Sequence, residues 1–287
     1  MLKHRLVFGL LMTIVFVGLM LLDGWLDGSI TSTRLDDKQV QGTLLCILIA
    51  LLIIPAQLEL RSLATAKNLK IFIPVAVTSS IFFATTWYWP QLFAVSPVKY
   101  LALVSAFTLF ALFLYQYFKF GNVGVIANCG VNYFAIIYSG LLSAFILAIR
   151  IEFGLWALLM FVFVIKSSDI GAYTVGKLFG KHKFSPRISP KKTWEGMAGA
   201  VIFAAIVSVL FAQNFDIMSW PLAVVFGFAF AFIGQFGDLA ESMIKRDAEQ
   251  KDSANNVPGF GGILDVLDSP LPAAVFAYLY FSFCIGS

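Results

Sequence analysis

The sequence predicts an all-α, polytopic integral membrane protein with about nine transmembrane helices and a cytoplasmic amino terminus. Three observations carry that expectation. Apolar residues make up 60% of the 287 residues, Phe alone counts 30, and only 13% are charged. A soluble domain needs far more polar surface than this. The apolar residues also fall into runs of roughly 17 to 25, the length of a helix that crosses a bilayer. Finally, the basic residues fall mostly on one side of those runs, which fixes an orientation.

The spans follow in order. Residues 6–22 form the first, after Lys3, His4 and Arg5. No small-residue cleavage site follows, so it is expected to remain as a helix. An acidic polar loop is expected from Asp23 to Lys38. Residues 43–58 form the second span, which Pro55 should kink or end. Glu59 to Lys70 reads as a short basic loop. Residues 71–87 form the third span, and Trp87, Tyr88 and Trp89 read as an interfacial aromatic belt. The next spans are 98–117, 131–149 (with an earlier start at Val125 allowed) and 153–165. Residues 166–192 read as the longest polar insertion. Spans at 194–211, 220–236 and 264–285 complete the set. The chain is expected to divide into an amino-terminal set of spans, residues 1–149, and a carboxy-terminal region, 150–287, that holds both charged insertions.

With the amino terminus inside, 16 of the 20 basic residues lie on the inner side. Arg34, Lys38, Lys99 and Arg150 fall outside. Both charged insertions, 166–192 and 237–269, then face the cytoplasm. The three cysteines lie in apolar segments and fit neither a disulfide framework nor a zinc site. Two histidines exclude a multi-histidine metal site by count.

Seven of the 16 acids sit between Gly237 and Ser269: Asp238, Glu241, Asp247, Glu249, Asp252, Asp265 and Asp268. Charge pressed against hydrocarbon is costly and usually functional. On a helix continuing the eighth span, Asp238, Glu241, Ser242 and Lys245 share one face. Asp265 and Asp268 share a face at the start of the ninth. A turn-rich connector containing Asn255, Asn256, Pro258, Gly259, Gly261 and Gly262 should bring the two together. Asp238, Asp265 and Asp268 then offer an oxygen-rich site suited to Mg²⁺. Glu249, Lys251 and Asp252 read as solvated loop.

A second constellation runs from Ser168 and Asp169 through Gly176 and Lys177 to Ser189, Lys191, Lys192 and Thr193. Ser189 reads as an N-cap and Pro190 as the first helical residue, giving an anion-binding helix start. A basic patch attracted to anionic lipid is the plainer reading of the same residues. Gly171 to Lys177 imitates part of a phosphate-binding loop, but Leu178 stands where its Ser or Thr would be.

These residues carry a resemblance. Ser242, Lys245 and Arg246, then Lys251 and Asp252, then Pro258 to Asp268 resemble the signature of the phosphatidate cytidylyltransferases, or CDP-diacylglycerol synthases. The run 189–196 and the stretch 169–180 are similar to that family's other hallmark. Two departures stand out, Phe260 where the family has His and Val266 where it has Arg. The resemblance implies transfer of a cytidylyl group from CTP to phosphatidic acid, giving CDP-diacylglycerol and pyrophosphate. It implies cation binding by Asp238, Asp265 and Asp268, with Mg²⁺ as cofactor and a second cation left open, and it implies that residues 1–149 frame a lipid cavity and 150–287 form the catalytic region. It also implies catalytic roles for Lys245, Asp265 and Asp268, and substrate binding by Asp169, Ser189, Lys191, Lys192, Thr193, Ser242 and Arg246. The partners expected are CTP, phosphatidic acid in the bilayer and a second copy in a homodimer, with no nucleic acid. The expected location is the bacterial inner membrane, with the site facing the cytoplasm.

Three competing readings stand beside this one. A cation-coupled transporter would also gather carboxylates at helix breaks, but near mid-membrane. A related CTP-dependent enzyme would use another lipid phosphate. A catalytically dead relative would bind lipid, as Phe260 and Val266 would allow.

Overall fold

The computed structural model describes residues 2–30, 40–254, 256–257 and 261–285. It is an all-α polytopic membrane protein. Its helices are α1 (Leu2–Leu26), α2 (Thr43–Ala66), α3 (Ile73–Ala84), α4 (Pro97–Phe120), α5 (Val125–Ile136), α6 (Leu142–Glu152), α7 (Gly154–Phe179), α8 (Trp194–Asn214), α9 (Trp220–Asp247), α10 (Ile263–Leu267) and α11 (Pro270–Cys284). A turn of π-helix, Ile137–Leu141, joins α5 to α6 without a break. Eight stretches are long and apolar enough to cross a membrane, with α5–α6 and α10–α11 each counting as one. The expected third span is the exception. Helix α3 has 12 residues and so reaches only about 18 Å, short of a bilayer core of about 30 Å. A helical turn at Trp89–Gln91 follows shortly after it.

Three sequence expectations need correction. Helix α2 does not stop near Pro55 but runs on to Ala66, so Glu59 is a buried helical residue and not the start of a loop. Within a bundle, neighbouring groups make an internal proline tolerable. Helix α7 continues through Asp169 to Phe179, so the polar insertion begins two turns or more later than its composition suggests. The third correction is local, since the helix start expected at Ser189 and Pro190 is a short ribbon. Strands β1 (Lys183–Ser185) and β2 (Ser189–Thr193) pair antiparallel as a hairpin. Pro190 favours extended backbone at Ser189, and its missing N–H is tolerable on the edge of a two-stranded ribbon.

The frame of the carboxy-terminal half is α7 against α8 against α9. Glycine makes the approach possible. A Cβ on Gly171 would lie 2.5 Å from the Gly199 carbonyl oxygen, and one on Gly227 would lie 2.5 Å from Ala205 Cα. Small residues at such crossings let helix backbones approach closely in membranes. Aromatic rings fill the remaining space, with Phe226 stacked on Phe230 at 4.1 Å and on Phe281 at 5.1 Å.

At one end of the bundle, Arg150 at the end of α6 is fully buried between Asp23 and Asp27 of the α1 terminus. Nε lies 3.0 Å from Asp23 Oδ2 and Nη2 lies 2.5 Å from Asp27 Oδ2. Asp23 also accepts the Leu44 N–H at 2.7 Å, joining α2 to the same knot. The acidic loop expected from Asp23 onward thus begins as a buried ion cluster, and Arg34 and Lys38 lie outside the described residues. Near the same end, the Trp87 of the aromatic belt donates to Glu152 Oε1 at 2.6 Å, and Tyr278 donates to Oε2 at 2.8 Å. At the opposite end Lys67 pairs with Asp247 at 3.2 Å, gathering the ends of α2 and α9.

The Arg150 knot yields a stability prediction. Arg150→Ala leaves two buried carboxylates unpaired and should destabilise the detergent-solubilised protein by roughly 3–5 kcal/mol. Replacing all three charges, as Arg150→Met with Asp23→Asn and Asp27→Asn, should recover most of that loss. Denaturant unfolding of the two variants beside the parent checks both outcomes.

Candidate functional site

The site is built at the end of the bundle opposite Arg150. Four elements deliver it: α7, the hairpin leading into α8, the last turns of α9, and the α10–α11 start. Helix α9 runs unbroken from the apolar interior to Asp247. The i, i+3, i+4, i+7 spacing therefore does set Asp238, Glu241, Ser242 and Lys245 along one face. Glu241, Ser242 and Lys245 are buried, and Asp238 is partly exposed at the edge.

The first cluster gathers around two lysines. Lys192 Nζ reaches across from β2 to Asp238 Oδ2 at 2.8 Å and donates to the Gln235 carbonyl at 2.9 Å. Gln235 Nε2 in turn donates to Asp169 Oδ1 at 3.1 Å, linking α9 to α7. Lys166 lies 3.9 Å from Asp169 Oδ2 and donates to the Val266 carbonyl at 2.8 Å. Asp268 lies within electrostatic reach of Lys166, Asp169 and Asp238. Its Oδ1 accepts the Ser269 N–H at 2.6 Å. Ser242 Oγ donates to Asp238 Oδ1 at 3.3 Å.

The second cluster is centred on Lys245. Its ammonium pairs with Asp265 Oδ1 at 2.5 Å and with Glu241 Oε1 at 3.4 Å. The other Asp265 oxygen accepts from the Gly262 N–H at 2.7 Å, the Ser253 N–H at 3.0 Å and the Ser253 hydroxyl at 2.9 Å. Both oxygens of Asp265 are thus engaged by groups of the protein. Asp238 and Asp268 keep company with Asp169 instead. Among the described residues no three His, Cys, Asp or Glu side chains form a ready ligand set for a metal.

The other expected residues fall as follows. Ser189 lies in β2, not at a helix N-cap, so the expected anion-binding helix start at Ser189 and Pro190 does not exist. The N-cap of α8 is Thr193, whose Oγ1 accepts the Gly196 N–H at 3.1 Å. Lys191 is exposed on β2. Exposed Arg246 donates to the Ile188 carbonyl at 3.4 Å and the Gln250 carbonyl at 3.1 Å, tying the hairpin to the end of α9. Glu249, Lys251 and Asp252 are exposed, as solvated loop residues should be. Of the two departures, Phe260 lies outside the described residues, as do Asn255, Pro258 and Gly259. Val266 takes part through its backbone, as the acceptor for Lys166.

Sequence reasoning missed Lys166, Gln235 and Glu59. Lys166 and Gln235 were within reach, since each is polar and lies one helical turn from Asp169 or Asp238.

The cluster offers oxygen donors of the kind a hard cation takes, but not, among the described residues, as an assembled ligand set. Asp169, Asp238, Glu241, Asp265 and Asp268 stand against Lys166, Lys192 and Lys245, an excess of negative charge at the edge of hydrocarbon. Buried polar atoms nearby also lack hydrogen-bond partners among the described residues: Glu241 Oε2, Ser168 Oγ and Tyr138 Oη, while Glu241 Oε1 has only its 3.4 Å ion pair with Lys245. Tyr138 sits in the π-helical turn within electrostatic reach of Glu241, Asp268 and Asp238. Carboxylates of this kind can share Mg²⁺ with water and phosphate oxygens, the usual habit of that ion.

Comparison with known proteins gives the family. Residues 38–284 match the cytidylyltransferase family, and thus most of the chain. The phosphatidate cytidylyltransferase of Bacillus subtilis is 40% identical over 174 residues, which cover 59% of this chain and 61% of that protein. The phosphatidate cytidylyltransferase of Mycobacterium bovis is 42% identical over 125 residues, covering 43% and 40% respectively. The chloroplastic phosphatidate cytidylyltransferase 5 of Arabidopsis thaliana is 43% identical over 131 residues, covering 44% and 32%. Each alignment spans less than two thirds of the relative. The chain belongs to the cytidylyltransferase family.

Proposed function

We propose that this chain transfers the cytidylyl group of CTP to phosphatidic acid, giving CDP-diacylglycerol and pyrophosphate. Its similarity to phosphatidate cytidylyltransferases supports the reading. The observation that carries it is the Lys192–Asp238 and Lys166–Asp169 pairing at the end of an apolar bundle. Lysines held by carboxylates, with further carboxylates beside them, suit the meeting of two polyanions and a metal ion. The excess of basic residues on this end of the spans supports a cytoplasmic orientation, where CTP and Mg²⁺ are available.

The chemistry asks little of general bases. A phosphatidate oxygen, already anionic at neutral pH, attacks the α-phosphorus of CTP. The bond from that phosphorus to the α–β bridging oxygen breaks, and pyrophosphate leaves with the electron pair. The requirement is charge neutralisation and alignment. Lys192 would meet the triphosphate, with exposed Lys191 beside it on β2. Lys166 stands near Asp268, where it would meet phosphate bound to the same cluster. Lys245 is fixed by Asp265 and Glu241. Asp238, Asp268 and the partly exposed Asp169 would hold Mg²⁺, and the negative excess leaves charge for a second cation. When bound, the metal neutralises phosphate oxygens and stabilises the leaving pyrophosphate. The charges gather at helix ends and not at mid-membrane, which favours the enzyme over a transporter.

Purified protein with labelled CTP, phosphatidic acid and Mg²⁺ should form a CDP-lipid. Asp238→Asn and Asp268→Asn should each lower kcat by about 10²-fold or more, the scale of one lost electrostatic contact to the transition state. Absence of product from the parent protein with several lipid phosphates would sink the proposal.

Chelation gives a separate expectation. EDTA should abolish turnover while the spans stay folded, and added Mg²⁺ should restore it. Turnover that survives chelation would show that no divalent ion is needed.

A further inference from the structure

Glu59 belongs to the amino-terminal half, four residues beyond Pro55 in α2. It is the sole acid in a helix otherwise made mostly of apolar residues, and only 3% of it is exposed. A buried carboxylate in a membrane helix needs partners, and its hydrogen-bond partners lie some two hundred residues away. Glu59 Oε1 accepts the Ile263 N–H at 2.8 Å, and Oε2 accepts the Leu264 N–H at 2.9 Å. The Ser253 hydroxyl lies 2.8 Å from Oε2 and 2.9 Å from Asp265 Oδ2, so its one proton links the two carboxylates.

The contacts form a relay. Glu59 fixes the first turn of α10, which carries Asp265. Asp265 fixes Lys245 from α9, and Lys245 faces Glu241. Gly262 is where the strands of this relay cross. A Cβ there would overlap both Glu59 Oε2 and Ser253 Oγ, so the carboxylate approaches the chain only because the residue is glycine.

We propose that Glu59 is a positioning residue, which sets Lys245 for phosphate through Ser253 and Asp265. It thereby makes the amino-terminal half a working part of the site. The inference rests on the cytidylyl-transfer reading for its kinetic arm only.

The test uses the full chain in detergent. In Glu59→Gln, amide hydrogen exchange at Ile263 and Leu264 should quicken by about tenfold, the scale of one hydrogen bond to a charged group. Exchange in α7 and α8 should stay as in the parent. With CTP and phosphatidic acid, kcat should fall by about tenfold, while KM for CTP moves by less than about threefold, because Lys245 acts in the transition state. Adding Glu59→Gln to Lys245→Met should slow turnover by no more than about twofold further, since residues in one relay are not additive. If Glu59→Gln fails to fold, Ser253→Ala breaks the same relay at its hydroxyl and should show the kcat loss and the same non-additivity. Unchanged exchange at Ile263 and Leu264, or full additivity with Lys245→Met, would overturn the proposal. An inactive parent protein with the expected exchange change would instead overturn the cytidylyl-transfer reading and leave the Glu59 contacts standing.

Discussion

Negative charge in excess at the edge of hydrocarbon is the constraint on which the rest of this structure depends. A carboxylate taken out of water must find a cation or several donors, and leaving it unpaired is costly. The chain meets this demand in two ways. Asp265 and Glu59 are satisfied inside the protein, by Lys245, Ser253 and the backbone of the α10 start. Asp169, Asp238 and Asp268 are only partly satisfied, by Lys166, Lys192 and a few hydrogen bonds. The first set finds its partners within the protein. The second is where an added cation and phosphate oxygens would complete the electrostatics.

Holding the second set open requires rigid neighbours. The Gly171–Gly199 crossing brings α7 and α8 close enough that the hairpin between them can lay Lys192 on α9. Thr193 ends the hairpin and caps α8 in the same residue, which fixes where Lys192 leaves the ribbon. The far end is locked by Arg150, Asp23 and Asp27. Charge pairs thus staple both ends of a bundle whose middle is packed by aromatic and small residues, as expected where hydrophobicity alone cannot drive helices together.

Much of this was legible in the sequence. The spans are marked by long apolar runs, and the site by seven acids in one short stretch. The face shared by Asp238, Glu241, Ser242 and Lys245 follows from helical spacing alone. What escaped did so for physical reasons. Ser167, Ser168 and Asp169 look like a loop by composition, but they lie within α7, whose small residues Gly171 and Ala172 lie on α8. Ser189 and Pro190 imitate a helix start, yet the same Ser-Pro pair also suits an extended ribbon, and pairing with β1 decides it. Pro55 suggested a helix end, which hid Glu59, although a lone acid in an apolar helix is itself a signal. The division between Asp265 and the Asp238–Asp268 pair was not readable, because it depends on Ser253, Gly262 and Lys245 meeting in space.

The central claim is that Asp238, Asp268 and Asp169, and not Asp265, hold the divalent ion. Anomalous scattering from Mn²⁺ in crystals grown with a non-hydrolysable CTP analogue tests it most directly. The account predicts a Mn²⁺ peak bonded to Asp238 and Asp268, with the Lys245–Asp265 pair intact. A peak bonded to Asp265 with that pair broken would contradict it.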